Sequence, residues 1–326
     1  MKKFTGYQGL LFIGDPHLWS KKPGKRLDID FGLNILNKLS ESFNIAKNNK
    51  LYPVILGDLF HDDKEKDIKL LTSLIKILKT LDDPPVTIVG NHEKKELSLT
   101  DDVALSLLKE SGLIYTMEKN EIWAEFDFNG KIYCLGGTPY GQTIPSKVKT
   151  KHDTIWLTHH DLAFGSSYPG SMPLQAIDGI FMSVNGHIHN YKDPVKIGPT
   201  KLHNPGNITR MSSDCAKQEP KVWQWKPEQN DDLIGISLPH IKNIFSLDIV
   251  KAEKPVEIDK IEEEKLSEFV LLLKEEIKKE EALNKTDDGV YLKNTIDALC
   301  LAINVPEDIK KEIMTITDEV IGEEKN

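Results

Sequence analysis

Short apolar runs alternate along this chain with longer stretches whose apolar positions recur at helical spacing. Residues 9–14, 52–56, 85–89, 131–135, 154–158 and 179–184 are rich in β-branched and aromatic side chains, which predicts strands. Most are apolar throughout rather than alternating, so both faces of their sheets should be covered. Residues 31–47 place Phe31, Ile35, Leu36, Leu39, Phe43 and Ala46 on one helical face. Residues 68–81 repeat the pattern with Leu70, Leu71, Leu74, Ile75 and Leu78. Strands alternating with helices predict a layered α/β fold. Further strands are expected at 221–226 and 244–252.

The pattern changes at Lys254-Pro255. Residues 259–280 are heavily charged, with an apolar stripe at Leu266, Phe269, Val270, Leu273 and Ile277. A break at 284–289 precedes two more helical stretches, 291–303 and 306–320. Pro306 suits a first helical position, and Glu307 and Asp308 suit the positive end of the helix dipole. The expected division is a main domain over 1–253 and a charged helical region over 254–326.

Composition narrows the class. The chain has 326 residues, enough for a large core with a smaller appendage, and 39% of them are hydrophobic. No apolar run approaches a bilayer span. The Leu10–Ile13 run stops at Asp15 with no cleavage site after it, so it reads as a core strand. Cys134, Cys215 and Cys300 lack CxxC spacing and suit a reducing compartment, which places the protein in the cytoplasm. Net charge is −9, with the acidic excess gathered near the end of the sequence. Bound cations would offset carboxylates locally, so charge does not exclude a nucleic-acid partner.

Five polar motifs stand where predicted strands end: Asp15-Pro16-His17, Gly57-Asp58, Gly90-Asn91-His92-Glu93, His159-His160 and Gly186-His187-Ile188-His189. Ligands of α/β folds sit beyond the carboxyl ends of strands. Asp15 and His17 alternate by two, as do His187 and His189, so each pair leaves extended backbone on one side. Nitrogen and oxygen donors without cysteine suit Mn, Fe, Zn or Co. Two such ions about 3.5–4 Å apart hold a phosphoryl group and a nucleophile together. His160 reads as structural, and His152, His203 and His240 as ordinary.

The order DxH, GD, GNH(D/E), H and GHxH resembles the calcineurin-like metallophosphoesterase superfamily over residues 8–210. That resemblance implies an α/β/β/α sandwich and two divalent metals, with Mn²⁺ favoured. One would be held by Asp15, His17, Asp58 and His189, the other by Asp58, Asn91, His159 and His187. A bridging hydroxide would attack phosphorus in line, with Asn91 helping to stabilise the charge. His92 would protonate the leaving oxygen, a role suited to a group titrating near neutrality.

Within that superfamily, Ser/Thr protein phosphatases carry an arginine where this chain has His61, and a cysteine where it has Lys94. A phosphomonoesterase is therefore disfavoured. Gly57-Asp58-Leu59-Phe60-His61 and Asp15-Pro16-His17-Leu18 resemble the SbcD-type exo- and endonucleases of DNA repair and recombination. In that family the residue matching His61 helps place the strand. Lys21, Lys22, Lys25 and Arg26 form a basic loop suited to DNA phosphates, and Lys147, Lys149 and Lys151 a second one. Tyr140, Tyr168 and Tyr191 are candidates to stack on bases. The resemblance further implies a reduced cap at 215–253 and docking of an SbcC-like coiled-coil ATPase on 254–326. That region could equally pack on its own domain or form a homodimer. The competing functions are a phosphodiesterase for a small substrate such as a cyclic nucleotide, and a catalytically silent scaffold.

Overall fold

The computed structural model describes residues 1–94, 99–165 and 171–246. The helices expected within 254–326, with Tyr168 and Cys300, lie outside the described residues. The chain opens with β1 (Lys2–Phe4), β2 (Gly9–Ile13), α1 (Phe31–Asn48), β3 (Leu51–Ile55) and α2 (Ile68–Leu78). It continues through β4 (Val86–Ile88), α3 (Ala104–Glu110), β5 (Tyr115–Met117), β6 (Glu121–Phe128) and β7 (Lys131–Thr138). Then follow β8 (Asp153–His159), β9 (Met182–Gly186), β10 (Lys192–Ile197), β11 (Thr200–Asn204), β12 (Lys221–Trp225) and β13 (Ile234–Ser237).

These strands form two sheets, ordered β1-β6-β7-β8-β9-β11-β10 and β13-β12-β2-β3-β4-β5. In the second, β2 to β5 are parallel. In the first, β7, β8, β9 and β11 are parallel. Side-chain alternation sorts the core. Leu10 and Phe12 face Ile155, Leu157 and Val184 between the sheets, whereas Leu11 and Ile13 pack under Ile35, Leu39, Leu74 and Leu105 of the helices. Each such aliphatic side chain contributes about 1.5–3 kcal/mol on burial. Asp30 and Asp67 cap α1 and α2 by accepting from the backbone N–H of Leu33 and Leu70, at 2.8 and 2.7 Å.

All three described α-helices pack on the six-stranded sheet. Among the described residues, the outer face of the seven-stranded sheet carries Trp156 and Leu202 beneath irregular segments bearing Ile144, Leu162, Phe164 and Ile177. The expected α/β class stands, built on the two sheets. One expectation, the reduced cap, needs correction. Residues 221–237 do not start a cap. β12 pairs antiparallel with β2, Trp223 opposite Phe12, and β13 extends the same sheet. Trp225 is buried between the sheets, which explains why this segment joins the core. Of the strand expected at 244–252, the described part makes only an isolated bridge, Phe245 to Arg26. No described helix is long and apolar enough to cross a membrane.

Candidate metal centre

The two sheets bring the five motifs onto one spot. Asp15 and His17 follow β2, Asp58 follows β3, Asn91 and His92 follow β4, His159 closes β8, and His187 and His189 follow β9. Four of these residues hold left-handed backbone: Asp15 at φ 28°, His17 at 46°, Asp58 at 46° and His187 at 75°. Such conformations cost on the order of 1–3 kcal/mol each and concentrate at functional sites. The motif glycines answer to the same crowding. A Cβ on Gly90 would fall 2.1 Å from Asp58 Oδ1, and one on Gly186 would fall 2.7 Å from Asp15 Oδ1.

The polar atoms of the motifs crowd together. His159 Nδ1 donates to the Leu56 carbonyl at 2.6 Å, which turns Nε2 toward Asp58 Oδ2 at 3.1 Å and Asn91 Oδ1 at 3.3 Å. Asn91 Oδ1 also lies 2.9 Å from His187 Nδ1. His17 Nε2 stands 2.8 Å from His189 Nε2 and 3.7 Å from Asp58 Oδ2. Asp15 Oδ2 accepts from the His187 N–H and Asp58 Oδ1 from the His92 N–H. Their other oxygens, Asp15 Oδ1 and Asp58 Oδ2, are buried without a hydrogen bond of proper geometry, as is His17 Nδ1. Buried acceptors without donors are costly, and cations satisfy them.

Donor atoms of Asp58, His159 and His187 lie within 4.8 Å of one another, and so do those of His17, His61 and His92. The first group matches the second metal set expected from sequence. The other differs from the first expected set, because it includes His61 and His92 and no carboxylate. A dication gains more beside the carboxylates of Asp15 and Asp58 than among three imidazoles. The donor set fits two divalent ions.

Burial and mutual repulsion shape the charges. Burial and the Asp58 charge push Asp15 up to about 7, with His159 pulling the other way. Burial would raise Asp58 too, but His159 and His17 outweigh it and hold this carboxyl far below its ordinary range. Burial opposes a charged His159, yet Asp58 and Asp15 lift it to about 10. Burial keeps His17 well below its ordinary value and takes His189 to about 4. Neutral imidazoles are the form that ligates metal.

His92 and His61 stack at the rim. Trp19 lies over His61, with ring centroids 4.5 Å apart. Trp19, His61, Asp62, Asp63, Asn91, His92 and Lys94 line an open cavity of about 310 Å³. Sequence reasoning missed Trp19, and it missed the work of Glu93. The buried Glu93 carboxylate accepts from the backbone N–H of Leu59 and of Gly90, joining the loops that carry Asp58 and Asn91. Its place inside Gly-Asn-His-Glu was the available signal.

The basic loop is only partly as expected. Lys21, Lys22 and Lys25 are exposed. Arg26 is a correction: it is 2% exposed, and its guanidinium is spent on Asp28 and on two backbone carbonyls. It cannot reach DNA. In the second loop, Lys147 pairs with Asp178 at 2.6 Å. Tyr191 is stacked on Trp223, centroids 5.1 Å apart at 6°, whereas the Tyr140 ring lies 5.5 Å from that of His187. His160 Nε2 donates to the Gln142 carbonyl at 2.9 Å.

No family model matches the sequence, and no curated protein matches it. Among solved structures, the chain is similar to an archaeal phosphodiesterase at 12% identity and TM-score 0.36, over 70% of this chain and 99% of that one. It is similar to NAD nucleotidase of Haemophilus influenzae at 14% identity and TM-score 0.41, over 76% and 56%. A 5'-nucleotidase precursor of Thermus thermophilus gives 12% and 0.43, over 74% and 57%. Likeness at this level carries no argument about activity.

Proposed function

We propose that this chain is a two-metal phosphodiester hydrolase of the calcineurin-like metallophosphoesterase superfamily, acting on DNA in the manner of SbcD-type nucleases. The observation that carries the reading is the convergence of Asp15, His17, Asp58, Asn91, His159, His187 and His189 beside His92, with buried oxygens of Asp15 and Asp58 left without a hydrogen bond. When bound, divalent ions there would supply positive charge to the phosphoryl oxygens and lower the pKa of the attacking water.

The protein's own groups supply the rest. His92 Nδ1 donates to the His61 carbonyl at 2.6 Å, which fixes the ring and leaves Nε2 as the nitrogen that releases a proton. As an imidazolium, His92 passes that proton to the departing sugar oxygen and stays bonded to His61 as the neutral tautomer. Asn91 turns Oδ1 toward His159 and His187, which leaves its amide N–H groups for a phosphoryl oxygen. His61, in place of a phosphate-gripping arginine, favours a diester over a monoester. Docking of a coiled-coil ATPase on 254–326 remains part of this proposal.

A second reading draws on the cavity wall. Asp62 and Asp63 line the same space as His92, and carboxylates there disfavour a further backbone phosphate. This favours a small diester such as a cyclic nucleotide. The test is hydrolysis of linear DNA, circular DNA, a small diester and a monoester, each with Mn²⁺ or with EDTA. Mn²⁺-dependent DNA cleavage supports the first reading, and cleavage of the small diester alone selects the second. A preference for the monoester would overturn both.

A further inference from the structure

Three buried cations meet behind the loop that carries Asp15. Arg26, Lys38 and Arg210 are 2%, 3% and 2% exposed. Arg26 grips the buried Asp28 twice, Nε to Oδ2 at 2.6 Å and Nη2 to Oδ1 at 2.8 Å. N–H groups of all three also go to backbone carbonyls, which satisfies them away from water. Arg26 Nη1 donates to the carbonyls of Thr209 and Arg210, both at 2.8 Å, and Lys38 Nζ donates to that of Ile208 at 2.6 Å. Three consecutive carbonyls are thus held from one side.

The same three-residue segment holds the first metal motif from its other side. The Ile208 N–H donates to the Gly14 carbonyl at 3.0 Å, and the Thr209 hydroxyl donates to the Pro16 carbonyl. Gly14 and Pro16 flank Asp15. The clamp also reaches the end of the described core. Arg210 donates to the carbonyls of Ile241 and Lys242. The Leu27 N–H donates to the Ile244 carbonyl at 2.9 Å, and the Ser246 N–H to the Lys25 carbonyl at 3.1 Å.

We infer that Arg26, Lys38 and Arg210 are positioning residues, a buried cationic clamp that fixes 208–210 and through it sets Asp15 and His17 for metal. The clamp ties that loop to 241–246, from which the chain continues into 247–326. The inference rests on the metal-centre reading above. Hydrogen bonds behind a ligand orient it, and losing one typically costs about 10–100-fold in metal affinity.

The test is calorimetric titration of the full chain with Mn²⁺ for wild type, Arg26→Met, Arg26→Lys and Thr209→Val, with Tm recorded beside it. Thr209→Val removes the hydroxyl between the clamp and Pro16 while keeping the side-chain shape and every cation. The expected result is that Thr209→Val and Arg26→Met weaken one of the two Mn²⁺ sites by about tenfold or more and spare the other. Arg26→Lys should recover part of the loss, which a merely structural role would not predict for one site alone. If Arg26→Met does not fold, Thr209→Val decides. Wild-type constants at both sites in Thr209→Val would overturn the clamp while leaving the metal centre standing. Absence of Mn²⁺ binding in wild type would overturn the metal centre itself, and the clamp's role with it.

Discussion

His92 lies stacked on His61, ring centroids 4.9 Å apart at 29°, and is bonded through Nδ1 to the carbonyl oxygen of the same residue. One residue therefore holds the candidate acid twice, once by its ring and once by its backbone. Only the ring contact is lost on substitution. His92→Asn should reduce diester turnover by about 10²–10⁴-fold with metals retained. His61→Ala should cost clearly less, because the carbonyl survives. Steady-state kinetics with metal analysis compares the two, and equal losses would put the role of His92 in doubt.

Gly90 packs directly against a carboxylate oxygen of the centre. Gly90→Ala would drive a Cβ against Asp58 Oδ1. Overpacking of this kind costs about 1–3 kcal/mol, and here the displaced atom belongs to a proposed ligand. Thermal unfolding should show the loss, and metal analysis should show less Mn²⁺ bound. A variant with wild-type metal content would mean that Asp58 is not a ligand.

Glu93 accepts two backbone N–H groups with its two oxygens. A glutamine has one acceptor and would turn an NH₂ toward one of those donors. Burial and the Asp58 charge push the Glu93 pKa up to about 8, so above that pH Glu93→Gln should destabilise by about 1–3 kcal/mol despite its matching shape. Denaturant unfolding measures this. An unchanged midpoint would show that the two loops do not depend on the carboxylate.

Lys38 gives stability a pH dependence of known sign. Burial, reinforced by Arg26 and Arg210, pushes its pKa down to about 7, far below that of a lysine in the unfolded chain. Below neutrality both states carry the proton and the full penalty applies. Between about 7 and the unfolded value the folded protein sheds the proton first, so stability rises with pH. Wild type should gain Tm from pH 7 to 9 relative to Lys38→Met. Parallel Tm profiles for the two proteins would contradict this environment for Lys38.

The exposed lysines and Arg26 should behave oppositely. Replacing Lys21, Lys22 and Lys25 by alanine should leave Tm nearly unchanged and flatten the salt dependence of DNA binding, by about one unit of slope per lost phosphate contact. Arg26→Ala should instead lower Tm, because it breaks the buried pair with Asp28. An unchanged salt slope in the triple variant would remove the loop from the DNA footprint.

Much of this arrangement is legible in the sequence, for physical reasons that differ by element. β2, β3 and β8 are buried on both faces, so they read as continuous apolar runs. α1 and α2 each keep a wide apolar stripe against one sheet. The metal motifs are legible because ligand geometry forces their spacing and crowding forces their glycines. What was not read is what tertiary pairing decides. α3 spans only seven residues, and β10 buries none of its residues fully and contains Pro194. Arg26 looked like its lysine neighbours because nothing in a run of basic residues marks the one that turns inward to Asp28.

The central claim is tested most directly by titrating metal-free protein with Mn²⁺ while following hydrolysis of linear DNA, with Asp58→Asn in parallel. Activity should appear as two Mn²⁺ per chain are taken up, and Asp58→Asn should lose both tight binding and turnover. Failure of wild type to bind Mn²⁺, or full activity in Asp58→Asn, would contradict a two-metal hydrolase built on these residues.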